Sequence, residues 1–559
     1  MSKHLSRRGF LVLSGSVAVA GTLAACAPAA TPSPTAAPKA AEPTKAPSVP
    51  EVPKVQATAA PTAAPVATQA PAATKSAEPK RGGTLTIGRT ATNQSLNPHL
   101  SNVGHYAWQL ALFDCLANYD GNLNLQPSLA EKWDISADGK QVTLKLREGV
   151  KFHSGREFTS QDVADTHALI KDHENTTMRE LFRAVRSVDT PSKYVAVLNF
   201  DTIFSGVFDL LDAFFIVDKE TFADLGKTAI GTGPFKLDRY VVRDVVEMSP
   251  FKDHWRRGRP YVDKYVVRDI PDAAALSIGL EAGALDIIWA PGFTDAVRLR
   301  AMTDKFVYDP GARGGIIMDV AINCTVEPYT DKRVRQAVAW AVDRARFCKT
   351  AVQGLSEPTC LIWPKHSWAY FPDLEGKIGY DLEKSRALLK QAGLEKGFET
   401  EILVCSRISP AHMELAVMLQ ADLAKLNIKA KVVDVDQAAY QTRHTTKRDI
   451  VTMVHNYGRA SRDPGTTLTG AKAWYTEEEK GWTRFTSPEY TALKKEANST
   501  LDREKRKATF RKIQELMLDE VPTIVVGELP KPWVYGKHVK NLTYNLDNAV
   551  FAGEIWLDK

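Results

Sequence analysis

"AEKWDISADGKQVTLKLREGVKFHSGREFTSQDV" runs from Ala130 to Val163. Within it Ala137-Asp138-Gly139-Lys140 is a turn signal, because aspartate bonds the backbone ahead of it and glycine accepts a positive φ. Behind the turn, Val142 to Arg147 alternates apolar and polar residues, the period of a strand with one face in a core. His153 follows in Lys151-Phe152-His153-Ser154-Gly155 with no second histidine at metal spacing, and is expected as a solvated turn residue.

Outward from this stretch, strand and helix patterns alternate. Thr84-Leu85-Thr86-Ile87 reads as a strand directly after Gly82-Gly83. Asp331 to Gln353 places Val334, Ala337, Val338, Ala341, Val342 and Ala345 on one helical face, with Gly354 as the stop. Asp381 can cap a helix over Leu382 to Ala392 that ends at Gly393. A helix over Met413 to Leu426 precedes Asn427 as a left-handed terminator, and Ile428 to Val432 alternates as the next strand. Helix, turn and strand in that order form an α/β unit.

The chain has 559 residues, enough for two or three lobes. It is 44% hydrophobic and 25% charged, with a formal net charge of +6. That charge is small for the length, and no Lys/Arg block is interleaved with aromatics, so nucleic acid is excluded as a partner. Six cysteines include Cys26 and leave Cys115, Cys324, Cys348, Cys360 and Cys405. No C-x-x-C spacing occurs and no disulfide is assigned, although Cys348 and Cys360 lie closest in sequence. There is neither a G-x-S-x-G elbow nor an H-E-x-x-H; His173-Glu174-Asn175-Thr176-Thr177 lacks the second histidine. Gly231-Thr232-Gly233-Pro234-Phe235 lacks the third glycine of a dinucleotide loop and is expected as a tight structural turn. No catalytic residue, metal or cofactor is assigned. A secreted hydrolase is the different-class alternative, because carboxylate pairs leave no local signature.

The first 80 residues have a different chemistry. Lys3, Arg7 and Arg8 precede an apolar run from Gly9 to Ala25, which is too short and too diluted by Gly and Ser to span a bilayer. Ser6 to Leu11 resembles the twin-arginine export motif, with Arg7 and Arg8 as its pair. Leu23-Ala24-Ala25-Cys26 resembles a bacterial lipobox, in which cleavage before Cys26 exposes a thiol for acylation and gives a lipid anchor in the membrane. Residues 1–25 then form the signal, and 26–80 an Ala/Pro/Thr-rich tether with too little apolar bulk to offset its ordering entropy.

The stretch from Ala130 to Val163 resembles the signature of family 5 extracellular solute-binding proteins, the receptors of peptide and nickel ABC importers. The likeness rests on Trp, Asp-Gly, Leu-Arg-x-Gly-Val-Lys-Phe-His-x-Gly and Phe-Thr-x-x-Asp-Val. Further segments keep the family's order: "GGTLTIG" at Gly82, "LNPHL" at Leu96, "GTGPFKL" at Gly231, "DKRVRQAVAWAVDR" at Asp331, "YDLEKSRALLKQAG" at Tyr380 and "RDPGTTL" at Arg462. The resemblance covers nearly everything after Lys80. It implies an α/β, type II periplasmic-binding-protein fold of two hinged lobes with an additional inserted domain. By matching segments, lobe I takes 81–112, 228–311 and 520–559, the insert 113–227, and lobe II 312–519.

The resemblance further implies capture of peptides or peptide-like solutes between closing lobes, without catalysis, for delivery to permease subunits and their ATPases on the extracytoplasmic side of the membrane. Nickel or metal-chelate, sugar and opine cargoes are alternatives within the same family. Relatives commonly hold the peptide α-amino group with an aspartate shortly before an Asp-Pro dipeptide. Here that stretch is Tyr457-Gly458-Arg459-Ala460-Ser461-Arg462-Asp463-Pro464, and Ala460 stands at the anchor position. An ammonium there would lose a charge-assisted bond of about 1.5–3 kcal/mol. Arg459 and Arg462 offer planar donors for a carboxylate or phosphate instead, or else pair with nearby acids. Asp463 is expected as a turn residue. In the loop after "LNPHL", Ser101 and Asn102 could bond a main chain, and Tyr106 and Trp108 could present flat faces to ligand, or any of them could equally pack beneath the loop. Trp474 and Tyr475 are candidates on the opposing lobe.

Overall fold

The computed structural model describes residues 78–90, 95–100, 107–173, 179–311, 315–458, 460 and 462–559. The opening stretch is a β-hairpin: Ala130–Ile135 pairs antiparallel with Gln141–Leu146, placing Trp133 opposite Leu144. Asp138 accepts from the Ser136 hydroxyl at 2.6 Å and from the Lys140 N–H at 3.1 Å, and Gly139 takes φ +67° between them. Val142, Leu144 and Leu146 point into a core, as the alternation requires. Val195–Phe200 and Val185–Ser192 complete a four-stranded sheet.

His153 is buried, against the expectation of a solvated turn residue. Its Nδ1 accepts the Gly231 N–H at 3.3 Å and its Nε2 lies 2.9 Å from the Gly233 carbonyl, which puts the proton on Nε2. The Lys-Phe-His segment thus docks the four-stranded sheet onto the "GTGPFKL" turn. That turn needs its glycines for close approach: a Cβ on Gly231 would stand 2.2 Å from the Leu112 carbonyl oxygen, and one on Gly233 2.5 Å from that of Ala111. Burial lowers the His153 pKa to about 4.

Two larger sheets carry the rest of the body. The first has seven strands in the order Phe306–Asp309, Trp533–Gly536, Ile287–Trp289, Thr84–Arg89, Lys264–Asp269, Val245–Pro250 and Phe235–Val241. Thr84–Arg89 sits centrally and runs parallel to both neighbours. The second has five strands in the order Lys429–Asp434, Glu399–Val404, Thr452–Tyr457, Ile317–Ile322 and Thr523–Glu528. The chain passes between these sheets from Asp309 to Ile317 and again from Glu528 to Trp533. Thr523–Glu528 hydrogen-bonds along Ile317–Ile322, so the second passage begins after Glu528 and not at the helix end near 520. The expected division at 519/520 therefore moves toward the C-terminus by one strand.

Helix expectations hold with one break. Leu382–Gln391 begins where Asp381 accepts from the Lys384 N–H at 2.9 Å. Pro410–Ala424 is followed by Asn427 at φ +61°. The single helix expected over Asp331 to Gln353 is instead Lys332–Trp340 and Arg344–Thr350. Asp343 divides them, because its carboxylate accepts from the Arg346 N–H at 2.9 Å and restarts the helix as a cap. Cys115, Cys324, Cys348, Cys360 and Cys405 are free thiols. Among the described residues no helix is long and apolar enough to cross a membrane. The signal, the lipobox cysteine and nearly all of the tether lie outside the described residues.

Candidate functional site

A cleft of about 1540 Å³ lies where the two large sheets meet. One wall is the end of strand Thr452–Tyr457 with helix Pro464–Gly470, and the other includes Trp289, Leu546, Asp547 and Asn548. The second passage between the sheets, Glu528 to Lys531, forms part of the lining.

On the first wall His455 and Asp319 are cross-strand partners, with Nδ1 and Oδ1 3.4 Å apart. Asp319 is fully buried, and that burial pushes its carboxyl pKa up against the opposing pull of His455. The His455 ring stands edge-on to Trp482 at 4.2 Å and lines the cleft. The pair can orient a polar ligand group against an aromatic face.

Tyr457 lines the cleft, with its hydroxyl donated to the Ile362 carbonyl at 2.7 Å. Tyr475 lines it as well. Ala460 is fully buried and its N–H reaches the Gly315 carbonyl at 3.2 Å, so this position brings backbone and no charge. Asp463 is a structural residue: it caps helix Pro464–Gly470 through the Gly465 N–H and takes both Nη atoms of Arg506, at 2.7 and 2.6 Å.

Three expected contacts are corrected. Arg462 does not extend donors to a ligand, because Nη2 is held by Asp212 at 2.5 Å and Asp547 at 2.8 Å in a buried cluster. Trp108 is buried in the core around the seven-stranded sheet, 6.4 Å from Phe113, where apolar burial wins over display. Trp474 is buried behind Tyr457, edge to face at 5.7 Å, and supports that residue from beneath. Ser101, Asn102, Tyr106 and Arg459 lie outside the described residues.

Sequence reasoning missed His455, Asp319, Trp289, Glu528 and Lys531. Alternation marks the strands that carry them, but no motif marks their convergence.

Comparison with known proteins agrees with this architecture. Residues 124–477 match the family described as "Bacterial extracellular solute-binding proteins, family 5 Middle". Heme-binding protein A of Haemophilus influenzae is 27% identical over 441 residues, 73% of this chain and 79% of its own length. The dipeptide-binding protein of Escherichia coli is 27% identical over 485 residues, 79% and 89% respectively. The periplasmic binding protein DppA from Helicobacter pylori, solved in complex with the peptide STSA, superposes with a TM-score of 0.74 at 23% identity, covering 86% of this chain and 99% of that one. With two α/β lobes around a cleft and a family match over well more than half of its length, the chain belongs to the family 5 bacterial extracellular solute-binding proteins.

Proposed function

We propose that this protein is the extracytoplasmic receptor of an ABC importer, and that it captures peptides or peptide-like solutes in the cleft and hands them unchanged to a membrane permease. The cleft carries the reading: about 1540 Å³ of lined space meets a strand end, aromatic faces and charged side chains, a surface suited to an extended main chain with its ends. The Escherichia coli relative named for dipeptides and the Helicobacter pylori structure holding STSA support a peptide cargo. The lobes in this reading are 81–112, 228–311 and the tail beyond the second passage for lobe I, 113–227 for the insert, and 312–528 for lobe II. The two passages would serve as the hinge. The experiment is to identify what the protein retains on purification and whether it is released intact.

Residues 1–80 fit an exported lipoprotein. Arg7 and Arg8 would direct twin-arginine export, and acylated Cys26 would keep the receptor near its permease on a flexible tether. Cys26→Ser is expected to abolish incorporation of a labelled fatty acid and release the protein from membranes. Label retained by that variant would place acylation elsewhere.

A further inference from the structure

We propose that Glu528 and Lys531, on the connection that joins the two large sheets, read the two charged ends of a zwitterionic ligand: Glu528 takes its ammonium group and Lys531 its carboxylate. The assignment rests on the peptide reading above and supplies the acid that Ala460 does not.

Both side chains line the cleft, and among the described residues neither makes an ion pair or hydrogen bond. The other cleft charges are largely answered from within the protein. Lys365 pairs with Glu357 at 2.7 Å and Asp547 with Arg462 at 2.8 Å. Glu375 accepts from the Thr359 hydroxyl at 2.5 Å. Lys472 is the exception: burial, then Arg179 and Arg448, lower its pKa, and Glu180 only partly opposes them. Lys531 has no such help: burial lowers its pKa, and no acid offsets that. Burial likewise pushes the Glu528 carboxyl up, assisted by Glu357 and opposed by Lys365. A partly buried charge without a counter-ion is costly, and a ligand of opposite charge removes the cost.

The two groups have different neighbours. Glu528 follows Gly527, which bridges to Pro358, and it feels the Glu357–Lys365 pair. The charge of Lys531 is felt instead by His412, whose Nε2 lies 2.9 Å from Asn456 on the opposite wall. Three residues of chain keep the two Cα atoms within about 10 Å of each other. With both side chains extended, that spacing suits a peptide of about three to five residues. Because the connection itself carries both charges, ligand ends are read where the lobes join.

The test is calorimetric titration of alanine peptides of two to five residues, unblocked, N-acetylated or C-amidated, into the wild-type protein and the variants E528Q, K531M, K531R and K472M. Thermal melting confirms that each variant is folded. Blocking either end should weaken wild-type binding at least tenfold at the best length. E528Q should remove the penalty for N-acetylation alone and K531M that for amidation alone, K531R should restore the latter, and K472M should leave both in place. If peptides bind but blocked and unblocked forms differ less than twofold, or the variants keep the wild-type penalties, the charge assignment falls and the peptide reading stands. If no alanine peptide binds, both fall.

Discussion

Replacing Arg462 by methionine is expected to lower the free energy of unfolding by about 3–5 kcal/mol, the cost of breaking a buried ion pair by removing one partner. Arg462 and Asp212 are both almost wholly buried, and Nη2 bridges Asp212 and Asp547. Asp209, also buried, feels the same guanidinium, and its Oδ2 accepts the Asp463 N–H at 3.3 Å. One side chain therefore ties the stretch before helix Pro464–Gly470 to helix Val207–Ala213 and to the C-terminal segment. Burial raises the pKa of Asp212, and that of Asp209 to about 7, while Arg462 holds both down. Without the guanidinium both would rise further, and the folded state would bind more protons than the unfolded one. The sign follows: the loss should be larger at pH 8 than at pH 6. Urea denaturation followed by tryptophan fluorescence measures it. The triple change R462M/D212N/D547N should recover most of the stability, since it removes the stranded charges as well. A loss below about 1 kcal/mol, the level of an exposed pair, would contradict the role given to Arg462.

Acidification from pH 6.5 to 4 is expected to destabilise the protein by several kcal/mol. Burial depresses His99, His153 and His412 to about 4 and His444 to about 3. Each is held neutral by burial, which outweighs acceptors that favour the charged ring, such as the Phe215 carbonyl 2.7 Å from His99 Nε2. The unfolded chain takes up these protons near pH 6.5 and the folded chain does so only near 4 or below, so stability falls as pH drops through that window and levels off beneath it. Each histidine is worth up to about 3 kcal/mol at roughly 1.4 kcal/mol per pKa unit. Asp209 acts oppositely, since its raised pKa favours the folded state as pH falls below 7. Asp212, Asp319 and Glu528, also raised by burial, act in the same sense as Asp209, while carboxylates held down by hydrogen bonds and cations, such as Glu247, Asp331 and Asp373, act with the histidines and leave a net loss. Melting temperatures at pH 7.0, 5.5 and 4.5 should decrease in that order; a flat or rising series would show that these histidines accept protons while folded.

Legibility from the sequence followed range. The hairpin at Ala130–Leu146, the cap at Asp381 and the left-handed Asn427 were readable because each is settled by neighbours within a few residues. The helix break at Asp343 was equally local, yet the apolar face runs on through Ala341 and Val342 and masks the cap. Arg462 stayed open between a ligand arm and a partner of nearby acids because those partners, Asp212 and Asp547, lie 250 and 85 residues away. His153 looked solvated for the same reason, since the Gly231–Gly233 turn that encloses it is about eighty residues downstream. Glu528 and Lys531 carried no signal at all: a charge is ordinary in sequence, and becomes informative only when folding leaves it lining a cleft without a counter-ion.

The central claim, that the cleft captures a peptide and returns it intact, is tested most directly by native mass spectrometry of the protein gently purified from cells that export it. The account predicts folded charge states carrying adducts at the masses of short peptides, displaced by added peptide and recovered without cleavage. Adducts that are exclusively metal chelates, sugars or opines, or peptides recovered as fragments, would contradict it.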